Sequence, residues 1–389
     1  MSGIYIHIPF CVEKCSYCNF YSSTEISQKE HFIHALFKEM ELRKDYLNAI
    51  VPETLYFGGG TPSILSPKEI EMIISQVKRV FGLKSDAEIT LEANPNNLNE
   101  EYFKGLKDTS INRLSIGIQS FFDDNLKMLG RVHTAKQAET SLELADKYRF
   151  FNLSVDLMYG YPQLSMEQWQ SNLRKVKEIP HLSCYSLSLE TNAALYRKIQ
   201  NNSLQLPDEE HLMEQYQTLE KFAKDHDFIH YETSNFCKTG QFSVHNTAYW
   251  QDKSYIGLGA AAHSFNRTHR SWNVANVEEY IKQIMAVKTT EEWQSKGENN
   301  VFEQEELTLI MRINEYLMTS LRTIWGCDLN YISDEFGDSF LYRLKQKLKV
   351  INSQYYHLHN NTIILTQAGS LLADAIAGEL FLEECELAW

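Results

Sequence analysis

Short apolar segments alternate with amphipathic segments through the first two thirds of the chain. In the segment 4–9, Ile4, Ile6 and Ile8 fall on one face of a predicted strand, with Tyr5 and His7 on the other. Further strands are predicted at 54–57, 88–91, 113–117, 153–157, 184–189 and 230–232. Helical patterns separate them, at about 28–43, 66–81, 100–108, 166–177 and 207–225, and after residues 123 and 134.

The repeated order of strand and helix predicts an α/β fold with a parallel sheet, because parallel neighbours need a crossover connection. One helix start is well marked, since Ser66 is suited to the N-cap and Pro67 to the first turn. We expect a TIM-like barrel or a partial barrel. Periodicity alone leaves open whether the sheet closes.

The composition becomes polar at 293–300 (WQSKGENN), which predicts a linker between a barrel domain at 1–292 and a C-terminal domain at 301–389. Helical patterns follow at 303–323, 333–349 and 369–381. A hairpin is predicted at 355–365, turning at Asn360-Asn361. This order predicts a small winged-helix-like α+β domain.

Composition limits the functional classes. With 43% hydrophobic and 23% charged residues, the 389-residue chain is typical of a soluble globular protein. A net charge of −14 argues against nonspecific binding to nucleic acid or anionic membranes. We expect no transmembrane segment, because no apolar run approaches the length that spans a bilayer. We expect no secretory signal, because residues 1–10 (MSGIYIHIPF) lack the charged-then-apolar layout of a signal peptide.

Seven cysteines are present, and only Cys11, Cys15 and Cys18 cluster in sequence. An odd number of cysteines in a large chain predicts reduced thiols in a cytoplasmic protein with one metal site.

Polar or glycine-rich residues follow the predicted strands one after another. In parallel α/β barrels the working residues lie at the carboxyl ends of the strands. We therefore expect one functional rim, formed by Cys11, Cys15, Cys18, residues 58–61, Glu92, Asn94, Gln119, Ser120, Asp156, Glu190 and Glu232.

The spacing C-x3-C-x2-C supplies three thiolates, one fewer than a structural zinc or a cubane iron–sulfur cluster requires. One alternative is zinc with His7 as the fourth ligand. Another is a [4Fe–4S] cluster with one open iron that a small molecule chelates. A c-type haem attachment site is disfavoured, because Asn19 follows Cys18 where that motif has histidine.

Five motifs decide between these alternatives by resemblance. They are 5–11 (YIHIPFC), 58–62 (GGGTP), 117–121 (GIQSF), 130–133 (GRVH) and 156–160 (DLMYG). On these motifs the chain resembles the radical S-adenosylmethionine (SAM) superfamily, and within it the coproporphyrinogen-dehydrogenase-like group. The resemblance extends over nearly the whole chain. It implies a [4Fe–4S] cluster on the three cysteines, with SAM on the fourth iron.

The resemblance also implies a SAM site beside the cluster. Tyr5 and Tyr17 would flank SAM, and Gly59, Gly60 and Thr61 would receive its methionine amino group. Glycine allows close approach of backbone to a ligand, and we expect free N–H and C=O groups in this loop. The alternative for the glycines is an ordinary tight turn.

Further SAM contacts implied by the resemblance come from four polar side chains. Arg131 would pair with the SAM carboxylate, a charge-assisted contact. Glu92, Gln119 and Asp156 would bind ribose hydroxyls and amino groups, and the carboxylates also suit the positive sulfonium. The alternative for Arg131 and Asp156 is a structural ion pair.

Within this group, the dehydrogenases carry a further cysteine two places after the third, where this chain has Phe20. They also carry an N-terminal extension, whereas Cys11 is already close to the start of this sequence. The chain instead resembles HemW-type haem chaperones, which carry H-N-x-x-Y-W. That motif matches 245–250 (HNTAYW), and 231–236, 314–318 and 321–323 match the same subgroup.

In the H-N-x-x-Y-W motif, His245 offers an axial ligand to haem iron, and Tyr249 and Trp250 could stack on a porphyrin face. Residue chemistry alone favours a hydrogen-bonded core histidine with two packed aromatic side chains. The resemblance favours the haem ligand.

Two segments depart from the family's usual motifs, and a third resembles a dinucleotide-binding motif. The usual G-L-P-G-Q is 160–164 (GYPQL), and the usual E-P-G-T is 190–193 (ETNA). The segment 257–262 (GLGAAA) fits the dinucleotide pattern G-x-G-x-x-A, but no clear βαβ unit surrounds it, so we do not expect a nicotinamide site.

The resemblance thus implies a cytoplasmic haem chaperone that binds a [4Fe–4S] cluster, SAM and haem and transfers haem to an acceptor protein. The alternative is an oxygen-independent coproporphyrinogen III oxidase of porphyrin biosynthesis. If the chain is an enzyme, it is a coproporphyrinogen dehydrogenase-type oxidoreductase. Expected partners are haem, the acceptor and a reductant such as ferredoxin or flavodoxin, without nucleic acid. A homodimer and a transient contact with a membrane protein are compatible with this interpretation.

Overall fold

The computed structural model describes residues 2–191, 193–201, 203–290, 292–293 and 302–383. Its main body is a twelve-stranded sheet. The strands are Ser2–Ile8 (β1), Thr54–Gly59 (β2), Glu88–Ala93 (β3), Arg113–Gln119 (β4), Leu153–Tyr159 (β5), His181–Ser186 (β6), Ile229–Glu232 (β7), Asn235–Cys237 (β8), Ser254–Leu258 (β9), His263–Phe265 (β10), His269–Asn273 (β11) and Phe302–Glu306 (β12).

Strands β1 to β6 pair in parallel in sequence order, and β9 pairs in parallel with the other side of β1. Strand β8 lies antiparallel between β6 and β7, and β10 to β12 continue the sheet beyond β9 in antiparallel fashion. The order β12-β11-β10-β9-β1-β2-β3-β4-β5-β6-β8-β7 leaves β12 and β7 as separate edges. The sheet is therefore a partial barrel, and the predicted α/β fold is confirmed.

Helices connect the parallel strands and cover the apolar outer face. Ile4, Ile6 and Ile8 are fully buried in one core with Ile70 and Ile73 of the second helix. The helices of this part are Lys29–Leu42 (α1), Pro67–Val80 (α2), Glu100–Leu106 (α3), Asp123–Leu129 (α4), Ala135–Lys147 (α5), Met166–Lys175 (α6), Ala194–Gln200 (α7), Glu209–Asp225 (α8), Val244–Trp250 (α9) and Val277–Ala286 (α10).

The predicted start of α2 is confirmed. The Ser66 hydroxyl accepts a hydrogen bond from the Glu69 backbone N–H, and the Glu69 carboxylate accepts one from the Ser66 N–H, so a complete capping box is present. Replacing Ser66 with alanine is expected to lower the free energy of unfolding by about 1 kcal/mol, because one N-terminal N–H loses its acceptor. Denaturant titration of Ser66→Ala against the parent chain measures this. An unchanged midpoint would contradict it, and Ser66→Thr should retain most of the stability.

A second, smaller core lies in the C-terminal part and includes Ile313, Leu317, Leu344 and Ile363. Its strands form a three-stranded sheet with helices beside it, as expected for a winged-helix-like α+β domain. The elements are Leu309–Ser320 (α11), Cys327–Asp328 (β13), Leu329–Phe336 (α12), Asp338–Leu348 (α13), Tyr356–His359 (β14), Thr362–Leu365 (β15), Gln367–Ser370 (α14) and Ala373–Leu380 (α15).

The predicted hairpin turn is confirmed, because Asn360 (φ 47°) and Asn361 (φ 61°) both adopt the left-handed conformation between β14 and β15. Two predicted helices were wrong in extent. Residues 302–306 pair with β11, and α11 begins only after the Thr308 N-cap. The predicted helix 333–349 is divided at Gly337, whose φ of 101° ends α12.

Most of the predicted linker, 294–300, lies outside the described residues, and the division at 292 and 301 stays a prediction. The two cores are joined by ion pairs around Asp252, which follows α9. Tyr331 donates a hydrogen bond to Asp252 (2.6 Å), Arg312 pairs with the same carboxylate (3.6 Å), and Glu335 pairs with Arg267 (2.7 Å). These contacts fix the C-terminal part against the open side of the barrel.

Within the described ranges, we find no helix with the length and apolar character needed to cross a membrane.

Candidate functional site

The three clustered cysteines lie in the loop after β1, at the carboxyl edge of the parallel strands. The loop is fixed by backbone hydrogen bonds from Cys11 N–H to Ser23 (3.0 Å) and from Ser16 N–H to Leu129 (3.1 Å). The Ser16 carbonyl accepts from Leu195 of α7 (2.8 Å). Cys11 is buried and Cys15 and Cys18 are half-buried, and all three are free thiols. The geometry presents three thiols from one anchored loop.

Polar groups surround these thiols. Arg131 Nη1 donates to Cys15 Sγ (3.5 Å), and Thr61 Oγ1 donates to Cys11 Sγ (3.4 Å). Burial raises the pKa of Cys18. Because a thiolate is the form that binds iron, a nearby guanidinium and hydroxyl favour the ligating state.

The zinc alternative with His7 does not fit this arrangement. His7 Nδ1 lies 3.1 Å from Tyr5 OH and Nε2 lies 3.0 Å from the Tyr21 carbonyl oxygen, so both ring nitrogens have partners. Burial lowers the His7 pKa to about 4. Across the described part of the chain, no three His, Cys, Asp or Glu side chains converge to hold a single metal ion. A cubane does not need that convergence, because each thiolate binds a different iron.

A cavity of about 410 Å³ adjoins the cysteine loop at the carboxyl ends of the strands. It is lined by the cysteines and by all but one of the residues predicted to contact SAM, namely Tyr17, Gly59, Gly60, Thr61, Glu92, Gln119, Arg131 and Asp156. Parallel strands bring these residues together although up to about 150 positions separate them in sequence, since their carboxyl ends share one edge.

Tyr5 is the exception. Its ring stacks on Tyr56 with 6.1 Å between centroids, and its hydroxyl lies by His7, deeper in the barrel than the cavity wall. Tyr56, which the sequence reasoning missed, contacts the cavity indirectly, because its hydroxyl donates to Glu92 Oε1 (2.7 Å). Tyr5 therefore supports the floor of the site in this structure.

The glycine loop approaches the cysteine loop closely. A Cβ on Gly60 would lie 2.7 Å from the Phe10 carbonyl oxygen, and Gly59 has φ 110°, so both positions require glycine. The expectation of free N–H groups was wrong for this loop. Gly60 N–H donates to Ile8 (2.9 Å) and Thr61 N–H to Phe10 (2.8 Å). A ligand amino group would therefore be received by carbonyl oxygens.

Two carboxyl groups face the cavity. The pKa of Glu92 is raised to about 7, mainly by burial and also by the Asp156 charge, while the Tyr56 hydrogen bond opposes the shift. Burial raises the pKa of Asp156 to about 6, and the Ser115 hydrogen bond (3.2 Å) opposes it. Both groups are thus protonated at a higher pH than ordinary carboxyl groups, and a cationic ligand would favour their ionised forms.

Arg131 and Gln119 carry polar atoms without partners in the described structure. Arg131 Nη2 donates to the Gly117 carbonyl (2.6 Å), but Arg131 Nε and Gln119 Oε1 are buried without a hydrogen bond. Gln119 has φ 64°, at the point where the register with β5 shifts. Strained backbone and unpaired polar atoms at one cavity indicate a ligand site.

The histidine of the H-N-x-x-Y-W motif lies elsewhere. His245 is only 2% exposed, next to Gly3 and Thr54 at the start of β1 and β2, the opposite end from the cysteines. Its Nδ1 lies 2.7 Å from Thr54 Oγ1 and its Nε2 2.8 Å from Tyr249 OH. Burial lowers its pKa to about 3. With both nitrogens engaged, His245 would have to leave this position to bind iron.

Glu190 and Glu232, two of the predicted rim residues, lie outside this cavity. Glu190 is exposed beyond β6, and Glu232 lines a separate cleft with Tyr185 and with Trp250 of the H-N-x-x-Y-W motif. Asn192 of the segment 190–193 lies outside the described residues.

The dinucleotide-like segment 257–262 joins β9 to the antiparallel β10, so no βαβ unit contains it. Gly259 N–H donates to the buried Glu39 carboxylate (2.9 Å), and a Cβ on Gly257 would lie 2.0 Å from the His263 carbonyl oxygen. The small residues of this segment allow close backbone packing beside Glu39.

Comparison with known proteins shows which family this chain resembles. Residues 5–176 match the model described as the radical SAM superfamily. The chain is 33% identical over 389 residues to "Heme chaperone HemW" of Bacillus subtilis (strain 168), covering 97% of this chain and 98% of that protein. It is 31% identical to "Heme chaperone HemW" of Lactococcus lactis subsp. lactis (strain IL1403), covering 98% of each. The solved structure of coproporphyrinogen III oxidase (HemN) from Escherichia coli matches with a TM-score of 0.81 at 22% identity, covering 98% of this chain and 90% of that one. This last likeness shows a shared fold.

Proposed function

This chain belongs to the HemW family within the radical SAM superfamily, and on that premise we propose that it is a cytoplasmic haem chaperone. In this proposal it binds a [4Fe–4S] cluster, SAM and haem, and transfers haem to an acceptor protein. The observation that carries the proposal is the 33% identity to a haem chaperone along 97% of this chain. Phe20, in place of the additional cysteine of the dehydrogenases, supports it.

Cys11, Cys15 and Cys18 are proposed to hold the cluster. Together with SAM and an external reductant such as ferredoxin or flavodoxin, a bound cluster supplies one-electron chemistry. Thr61 and Arg131 donate hydrogen bonds to two of the three sulfur atoms and stabilise their negative charge. An acceptor protein, a homodimer and a transient contact with a membrane protein stay predictions.

SAM is proposed to occupy the 410 Å³ cavity, with Tyr17 at the cysteine loop and Tyr5 supporting the floor through Tyr56. The carbonyl groups of Gly59, Gly60 and Thr61 would accept from its amino group. Arg131 Nε and Gln119 Oε1 lack partners among the described residues, and both are suited to polar groups of SAM. Glu92 and Asp156 would hold its hydroxyls and oppose its positive charge.

The raised pKa of Glu92 predicts pH-dependent binding of SAM. A cation favours the ionised carboxylate, so affinity for SAM should rise as pH increases through about 7, the Glu92 pKa. Glu92→Gln should bind SAM more weakly and lose most of that dependence, with the remainder centred near the Asp156 pKa of about 6. Equilibrium dialysis of SAM between pH 6 and 8 measures this. A variant with the parent's pH profile would contradict the role of Glu92.

His245 and Tyr249 are proposed from the family motif to contribute to haem binding, with His245 as the axial ligand. Ligation would require Thr54 and Tyr249 to release the imidazole. A loaded form should therefore differ from this structure around α9.

The competing function is oxygen-independent oxidation of coproporphyrinogen III. One anaerobic experiment separates the two, in which reconstituted protein receives coproporphyrinogen III, SAM and a reductant. The chaperone proposal predicts no protoporphyrinogen beyond the level without protein. Catalytic turnover would establish the oxidase instead.

A further inference from the structure

A second cavity lies on the open side of the barrel, where the C-terminal part meets it. The cleft has a volume of about 620 Å³, within the range usual for sites of small ligands. One wall is formed by the turn between β7 and β8 and by Trp250 at the end of α9, and the other by Arg322 and the segment 370–375.

The cleft adjoins the cluster cavity, because Tyr185 lines both. Trp250 and Tyr185 offer aromatic faces, and Leu371 and Leu372 are large apolar side chains left 53% and 42% exposed. Exposed apolar side chains gathered around a concave surface indicate a bound apolar group. Aromatic faces at two positions suit a flat ring system.

Two ionisable side chains, Arg322 and Glu232, give the cleft polar binding groups. Arg322 Nη2 lies 2.6 Å from Asp374 Oδ1, but Asp374 is 73% exposed, so a ligand carboxylate could replace this weak surface pair. Glu232 is only 4% exposed, and its Oε1 has no hydrogen-bond partner in the described structure. Burial raises the Glu232 pKa, and a neutral carboxyl can donate to a second carboxylate of the ligand.

We propose that this cleft is the entry site for haem, with the tetrapyrrole face against Trp250 and the two leucines and one propionate on Arg322. The proposal rests on the proposed haem-chaperone function and adds where haem first binds. In this proposal the two ends of the H-N-x-x-Y-W motif lie at different places. Trp250 lines the cleft, whereas His245 is buried beside Gly3 and Thr54 at the start of β1 and β2. Haem in the cleft would lie beside the SAM cavity, on the far side of Tyr185.

Haem titration of the full chain, followed by its Soret band, tests the site with two opposed variants. Arg322→Gln should weaken binding by roughly tenfold, because a charge-assisted contact to a propionate is lost. Asp374→Asn should tighten binding by up to about fivefold, because it frees Arg322 from a surface pair. Asp374 is exposed and Arg322 is half-buried at the cleft wall, outside the apolar core, so the fold should be retained, and circular dichroism checks this.

Haem dimethyl ester provides the matched ligand control, since it lacks free propionates. It should bind the parent more weakly than haem and should not distinguish Arg322→Gln or Asp374→Asn from the parent. Arg79→Gln, at an exposed arginine of α2 away from the cleft, should leave haem affinity unchanged. The site is refuted if haem binds the parent while both charge variants match it, or if Arg79→Gln weakens binding as much as Arg322→Gln. If the parent binds no haem, the proposed function fails first.

Discussion

Replacing Cys15 with alanine is expected to abolish cluster assembly while leaving the fold largely intact. The loop supplies three thiolates, and each holds a different iron, so two cannot retain a cubane. Cys15 is half-buried and its Sγ accepts a hydrogen bond from Arg131, so its loss leaves no large core cavity. Iron content and the visible charge-transfer absorbance after anaerobic reconstitution measure the effect.

The matched control is Cys327→Ala, which removes a fully buried thiol from the C-terminal core. It should assemble the cluster like the parent, although with lower stability. Equal iron and sulfide in Cys15→Ala and the parent would refute the ligand assignment. Zinc retention without iron in the reconstituted parent would revive the zinc alternative.

Replacing Arg131 with glutamine is expected to lower affinity for SAM by about ten- to a hundredfold, the range for losing a hydrogen-bonded charge on a carboxylate. The guanidinium is fixed by the Gly117 carbonyl, and its Nε has no partner among the described residues. Calorimetric titration of the reconstituted protein under anaerobic conditions measures the change.

Because Arg131 also donates to Cys15 Sγ, iron content must be matched before affinities are compared. Arg79→Gln is the control, since Arg79 lies on the exposed face of α2 and pairs with Glu41. If Arg131→Gln protein with a complete cluster binds SAM as tightly as the parent, Arg131 has only a structural role.

The sequence predicted which residues line the cavity because the parallel sheet itself brings them together. Once a parallel sheet was inferred, the carboxyl ends of its strands had to share one edge, and Glu92, Gln119 and Asp156 came together there. The same reasoning failed for Tyr5, since alternation gives the face of a strand but not the depth at which a side chain lies. Tyr56, one strand away, contacts Glu92 in the layer below the cavity.

Other features of the structure could not be predicted from the sequence, because they depend on contacts between residues that are distant in sequence. Residues 302–306 carry a helix-like acidic pattern, yet β11 offers them an unpaired edge, and pairing overrides local preference. The position of His245 at the amino ends of β1 and β2 follows from the packing of α9 against these two strands. The cleft combines Trp250 with Arg322 and the segment 370–375, which no local motif connects.

The most direct test of the central claim is a haem titration of the reconstituted full chain, followed by gel filtration. The account predicts saturable binding of haem that survives filtration and passes to an added apo-acceptor. Absence of a saturable Soret change, in protein that carries its cluster and binds SAM, would contradict the chaperone assignment.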